Sequence, residues 1–196
     1  VVDLIKGPKG SEVVLQILPK KGGANAKPFE VVITRDKIRL EDRAATSKVV
    51  EPKEGQYANR KVGVIQIPGF YMNLSQDVAK EITKLEKDNV EGIIIDLRGN
   101  GGGALTEATL LTGLFIDMGP VVQIRDANGG INQNRDNDGA SAYNGPLTVM
   151  VDRYSASASE IFAAALQDYD RALIVDESTF GKGTVQQHKS LGRIYD

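Results

Sequence analysis

The stretch EGIIIDLRGNGGGALTEA, Glu91 to Ala108, changes character twice. Its three successive isoleucines form the continuous apolar run of a strand buried on both faces. Four of the five residues Gly99 to Gly103 are glycine, which ends the strand and lets the backbone approach a ligand closely. Gly103 to Gly119, GALTEATLLTGLFIDMG, then reads as a helix. Strand, tight turn and helix in that order form the repeating unit of an α/β fold with a largely parallel sheet.

The same alternation extends on both sides. KVGVIQI (Lys61–Ile67) predicts a strand, and Val78, Ile82 and Leu85 are spaced for a helix within SQDVAKEITKLEKDN. PVVQIRD (Pro120–Asp126), GPLTVMVD (Gly145–Asp152), RALIVDE (Arg171–Glu177) and GTVQQHKSL (Gly183–Leu191) predict strands, and DRYSASASEIFAAALQDYD (Asp152–Asp170) supplies a helix. The expectation is a layered α/β core over residues 61–196. Upstream, a helix end at Val1–Lys6 stops at Gly7-Pro8, and SEVVLQIL and FEVVITRDKI read as strands around the loop Pro19–Lys27. Residues 1–43 read as the later part of a small domain, and polar residues 44–60 as a connector.

Composition removes several classes of function. A net charge of −2 offers no basic field for nucleic acid. No apolar run reaches the roughly 20 residues that span a bilayer. With no cysteine there is no disulfide, thiolate metal site or cysteine nucleophile. NRDNDG, Asn134 to Gly139, imitates the start of a calcium loop, but the required glutamate position holds Gly145; it reads instead as a solvated hairpin turn. The sequon Asn73-Leu74-Ser75 reads as a helix start capped by Ser75. No metal or organic cofactor is expected.

Three patterns carry candidate chemistry. The glycine turn can be a plain connection, a phosphate loop or an oxyanion hole, although its spacing is not G-x-G-x-x-G. Gly181-Lys182-Gly183 is not a phosphate-binding Walker loop, because Asp176 stands where that loop needs glycine. Ser157 and Glu160 match the helix-starting pattern S-x-x-E, yet a tight strand-to-helix turn is also where hydrolases hold a nucleophilic hydroxyl. The single histidine, His188, has no acidic neighbour in sequence and reads as an ordinary strand residue. A lysine whose neutral form is favoured by burial can replace it as base. In an extended strand, Gln186 would share a face with Lys182.

The blocks DLRGNGGGALTEA, DRYSASASEIFAAALQDYDRALIV and TFGKGTVQQ together resemble the C-terminal processing peptidases, most of all the tail-specific proteases of Gram-negative bacteria. VVDLIKGPKGSEVVLQIL is similar to the closing part of that family's PDZ domain. The resemblance implies a ClpP/crotonase-like core and a Ser–Lys dyad of Ser157 and Lys182, with Gln186 orienting the lysine. It implies oxyanion donors at Ala158 and at Gly103 or Gly102, a supporting role for Asp168, and Arg98 and Asn100 as scaffold of the turn. It further implies protein substrates, unfolded or tagged, with apolar C-termini, in a periplasmic or exported compartment. Peripheral membrane association of a longer parent and pairing of two copies through exposed edges are compatible with it. The chain reads as an excised fragment of reduced or no activity. A non-catalytic binding fragment and a crotonase-like acyl-thioester enzyme stand as the alternatives.

Overall fold

The computed structural model describes residues 2–19, 27–36 and 44–186. The chain divides into two units, Val1–Asp42 and Arg43–Asp196. In the first, helix α1 (Val2–Ile5) precedes strands β1 (Glu12–Ile17) and β2 (Phe29–Thr34), which pair antiparallel with Glu12 opposite Thr34. Arg35 ties these pieces together: its Nε donates to the Ile5 carbonyl at 2.7 Å and its Nη1 to the Glu12 carbonyl at 2.8 Å.

The second unit is built on a five-stranded sheet in the order β3-β4-β5-β8-β9. Its strands are β3 (Thr46–Val50), β4 (Val62–Gln66), β5 (Gly92–Asp96), β8 (Leu147–Val151) and β9 (Leu173–Asp176). All adjacent pairs are parallel except the edge pair β3–β4. Helices α2 (Leu74–Lys87), α3 (Leu105–Gly113) and α4 (Ala158–Asp168) supply the cover. Ile93 and Ile95 of β5, Val149 of β8, Leu111 of α3 and Phe162 of α4 are fully buried in one core. Phe162 packs against the rings of Phe70 and Phe115, with centroids 6.5 and 5.9 Å apart. The expected α/β architecture with a largely parallel sheet is what forms.

Several local expectations change. The residues read as a connector contain β3, whose outer position in the sheet leaves most of its side chains exposed and so explains its polar sequence. The helix expected to reach Gly119 ends at Gly113, where the Asp136 carboxylate lies so close that a Cβ would meet Oδ1 at 2.8 Å. Pro120–Arg125 does not join the main sheet; β6 (Gly119–Arg125) pairs with β7 (Ile131–Asp136) in a separate hairpin. Its turn is Asp126–Gly130, so Asn134 and Asp136 belong to a strand and not to a turn. Helix α2 is capped by Asn73 in the left-handed conformation (φ 71°); Ser75 lies inside the helix. The buried Glu107 of α3 completes that start by accepting the N–H groups of Asn73 at 2.7 Å and Ser75 at 3.0 Å. No strand forms over residues 183–186, and His188 with the rest of the predicted strand lies outside the described residues.

Candidate active site

In a parallel α/β sheet, ligands gather where the chain leaves the carboxyl ends of the strands. Here β5 runs into the turn Leu97–Ala104, and the neighbouring β8 runs into Asp152–Ser157. The two turns lie one against the other. A Cβ on Gly102 (φ +94°) would come within 2.5 Å of the Ala156 carbonyl oxygen and 2.8 Å of Ser157 Cβ, so only glycine fits.

The three serines of SASAS divide their work. Ser155 and Ser159 are fully buried, and Ser157 between them is partly exposed. Ser155 Oγ donates to the Leu97 carbonyl at 2.9 Å, and Ser159 Oγ donates to the Asn100 carbonyl at 2.9 Å. They bolt the serine turn to the glycine turn on either side of Ser157. Asn100, also fully buried, joins a third element: its Nδ2 donates to the Ile67 carbonyl at 2.8 Å and its Oδ1 accepts the Gly102 N–H at 2.9 Å. Asp152 accepts the N–H groups of Gly99, Tyr154 and Ser155, each at 3.0 Å. Those bonds, Gly99 first, hold its carboxyl below the ordinary range against the opposing effect of desolvation. Asp96 is likewise held low, chiefly by the Arg98 guanidinium, whose Nε and Nη2 grip its two oxygens at 2.9 and 2.8 Å.

Ser157 sits at φ 59° and ψ −113°, a backbone conformation that non-glycine residues rarely adopt. Such strain persists only where surrounding bonds over-determine it, and it concentrates at functional positions. One of those bonds comes from Glu160, whose Oε2 accepts the Ser157 N–H at 2.8 Å, as the S-x-x-E pattern requires. The same carboxylate accepts the Gly181 N–H at 2.6 Å and the Lys182 N–H at 2.9 Å. Burial pushes the Glu160 carboxyl upward, but its bonds to Gly181, Ser157, Thr179 and Lys182 outweigh that and leave it below its usual value.

Ser157, Lys182 and Gln186 line one cavity of about 150 Å³, with Gly103, Ala158, Leu105 and Ile161 among its walls. Among the described residues, the N–H groups of Gly103 and Ala158 have no protein acceptor, whereas the Gly102 N–H is taken by Asn100. Lys182 is exposed, which departs from the buried lysine that the sequence suggests, since no strand covers residues 181–186. Gln186 Nε2 donates to Thr184 Oγ1 at 2.8 Å and not to the lysine. Asp168 does not belong to this group: it ends α4, exposed, some eleven residues and therefore roughly 16 Å along the helix from Ser157. Ser155, Ser159, Asp152 and Glu160's link to residue 182 are missed by the sequence reading. The alternation of serine with alanine is their one visible signal.

A larger cleft of about 680 Å³, bordered by Tyr57, Val62, Gly92 and Pro146, lies at the amino ends of β4, β5 and β8. It is on the far side of the sheet from both turns and holds none of these groups. No group of acidic or histidine residues suited to a metal ion occurs among the described residues.

Comparison with known proteins points the same way. Residues 61–194 match the sequence profile of peptidase family S41. The chain is 53% identical over 196 residues to the tail-specific protease of Haemophilus influenzae and covers 27% of it. It is 34% identical over 185 residues to carboxyl-terminal-processing peptidase 2, chloroplastic, of Arabidopsis thaliana, covering 93% of this chain and 34% of that protein. The solved photosystem II D1 C-terminal processing protease superposes with a TM-score of 0.69 at 30% identity, over 95% of this chain and 48% of its own. A putative S41 protease from Bacteroides fragilis, at 18% identity and TM-score 0.59 over 88% of this chain and 49% of its own, shares the fold. The chain therefore spans between about a quarter and a half of the length of these relatives.

Proposed function

Because the chain belongs to peptidase family S41, we propose that it carries the catalytic centre of a serine endopeptidase acting on unfolded or tagged proteins with apolar C-termini. Ser157 Oγ attacks the scissile carbonyl carbon while its proton passes to the amine of Lys182. The carbonyl oxygen becomes an oxyanion that accepts the N–H groups of Gly103 and Ala158. Collapse breaks the C–N bond; the leaving amine takes the proton from Lys182 and an acyl-serine remains. Water, deprotonated by the same lysine, then releases the acid and restores the serine. Gln186 orients the amine, and Asn100 with Arg98 holds the turn. No metal or organic cofactor takes part, and the site of action is periplasmic or exported. Among the described residues, no helix is long and apolar enough to cross a membrane.

The observation that carries this reading is the shared cavity: a strained, partly exposed serine, a lysine and two unbonded amide donors converge on one space. Lys182 is exposed, and that favours a second reading in which this stretch binds polypeptide without cutting it. Hydrolysis of an unfolded protein, compared among the parent, Ser157→Ala and Lys182→Ala, separates the two. A peptidase loses cleavage with either substitution; a binding fragment cleaves in none of the three.

A further inference from the structure

The Gly102 carbonyl and the Gly103 N–H are the two ends of one trans peptide, so they point in opposite directions. Phe70 takes the first of them: its N–H donates to the Gly102 carbonyl at 3.0 Å. The candidate oxyanion donor at Gly103 is therefore turned away from Phe70, and Gly103 borders the cavity that holds Ser157. Phe70 grips the following peptide as well, since its own carbonyl accepts the Ala104 N–H at 2.7 Å. Together these bonds form an isolated parallel bridge between Phe70 and Gly103. In that pattern a residue bonds to both neighbours of its partner and leaves the partner's own N–H free. A Cβ on Gly103 (φ +149°) would collide with the Phe70 carbonyl oxygen, so the close approach needs glycine. The aim of this donor is set by the main chain of one residue outside the turn.

Two side chains hold that residue in place. The Phe70 ring is buried and packs against Phe162 of α4, the helix that begins after Ser157. The next residue, Tyr71, packs its ring against the core and carries its hydroxyl to two other elements. Tyr71 Oη accepts the N–H of the buried Ala45 at 2.9 Å and donates to Asp77 Oδ2 at 3.0 Å. Ala45 immediately precedes β3, and Asp77 stands in the first turn of α2. Asp77 is braced in turn by the Lys80 ammonium at 2.9 Å. Tyr71, Ala45 and Asp77 are all absent from the walls of the cavity, so none of them meets a reacting group.

We propose that Tyr71 is a positioning residue for the oxyanion site: its hydroxyl, anchored at the entrance to β3 and on α2, holds the Phe70 main chain that aims the Gly103 N–H into the cavity. This deepens the peptidase reading and rests on it. The other donor, the Ala158 N–H, belongs to α4, and the Tyr71 hydroxyl makes no bond to that helix. Loss of the hydroxyl therefore disturbs one donor and spares its companion. Both donors act on charge that develops only in the transition state, so the effect falls on kcat and not on KM. A small displacement is enough, because a donor preorganised for an oxyanion loses its value when its direction drifts.

The test reads the two donors separately, by amide NMR of the isotope-labelled protein. An apolar peptide boronic acid takes Ser157 Oγ as the fourth ligand of boron and puts a tetrahedral, negatively charged centre in the cavity. In the parent, the amide protons of Gly103 and Ala158 should both move downfield when this adduct forms. In Tyr71→Phe the Gly103 movement should shrink while that of Ala158 stays. In hydrolysis of an unfolded protein, kcat should fall roughly tenfold at unchanged KM, a part of the hundred- to thousandfold loss that follows removal of a whole oxyanion donor. Tyr143→Phe is the control: its hydroxyl reaches the Pro146 carbonyl at the amino end of β8, and its loss should change none of these quantities. An undiminished Gly103 movement, or equal shrinkage at Gly103 and Ala158, overturns the proposal. Should Tyr71→Phe fail to fold, Asp77→Ala replaces it and must show the same asymmetry; a symmetric change overturns the proposal. Should the parent form no adduct, the peptidase reading falls, and the free proteins decide the positioning claim: a Gly103 resonance that Tyr71→Phe leaves in place overturns it, and one that moves while Ala158 does not supports it.

Discussion

Glu160 accepts the Ser157 N–H at 2.8 Å, and with the same carboxylate it accepts the N–H of Lys182 at 2.9 Å. One side chain on the first turn of α4 thus fixes the backbone of both members of the candidate dyad, which are 25 residues apart in sequence. The bond to Ser157 also satisfies a donor at a helix start, where negative charge is favoured by the dipole.

Glu160→Gln should therefore act on activity more than on fold. The amide keeps one acceptor in place of two and carries no charge. A loss of about 1 kcal/mol in stability is expected at neutral pH, the ordinary size of a capping change, together with a much larger fall in kcat for hydrolysis. Because the folded carboxyl is held below its ordinary value of 4.5, its stabilisation is present above that value and is lost as pH falls through the lowered folded value. Denaturant midpoints of parent and variant should hence converge on acidification below about pH 4.5. A gap that widens with acid would contradict the assigned role.

The three serines should separate cleanly. Ser155→Ala and Ser159→Ala each remove a buried hydroxyl from a carbonyl that keeps one main-chain donor, the Asn100 N–H on Leu97 and the Ala156 N–H on Asn100, and should cost about 1 kcal/mol or somewhat more. Ser157→Ala should abolish hydrolysis with far less effect on stability. Ser157→Gly should be more stable than Ser157→Ala by about 1 kcal/mol, since glycine relieves the positive φ. Urea titrations of the four variants, beside their hydrolysis rates, check the order.

The alternation of apolar strands and amphipathic helices makes the α/β core readable, although β5 is fully buried on one face only: Ile93 and Ile95 lie in the core with Val149, while Ile94 between them is half-buried. β3 is hidden for the converse reason: an outer strand with most side chains in water has no apolar pattern to show. Ser157 is visible through its place at a helix start and through the resemblance of its block. Its two buried companions are not, since a serine's burial depends on which carbonyl the fold brings to it, here those of Leu97 and Asn100 some sixty residues upstream. Asp168 ends α4, at the opposite end of the helix from its N-cap Ser157.

Two glycines one residue apart should respond oppositely. Gly102→Ala places a Cβ against the Ala156 carbonyl and the Ser157 side chain at a φ of +94°, so the two turns must separate. A loss of about 3 kcal/mol or more, with hydrolysis abolished, is expected from the clash and the left-handed strain together. Gly101→Ala meets nothing within 4 Å and should leave both stability and activity near the parent. Thermal melts of the pair decide whether close approach, and not glycine content as such, shapes the turn.

Asn100 tests the coupling of the three segments. Asn100→Ala leaves the Ile67 carbonyl buried without a partner, at about 1–3 kcal/mol, and frees the half-buried Gly102 N–H at a smaller cost. The freed Gly102 N–H can then rotate toward the cavity and compete with Gly103 for the developing oxyanion. The expected result is a destabilised protein whose kcat falls more than its KM rises, because the Asn100 side chain bonds only to the Ile67 carbonyl and the glycine turn that carries the candidate oxyanion donor. Asn100→Asp keeps the acceptor for Gly102 but removes the donor to Ile67 and buries a charge. It should be the less stable of the two at neutral pH and recover on acidification as the carboxyl protonates and regains a donor. Denaturation of both variants at neutral and acidic pH, with steady-state kinetics at neutral pH, measures this directly; an Asn100→Asp protein that loses stability on acidification faster than Asn100→Ala would refute it.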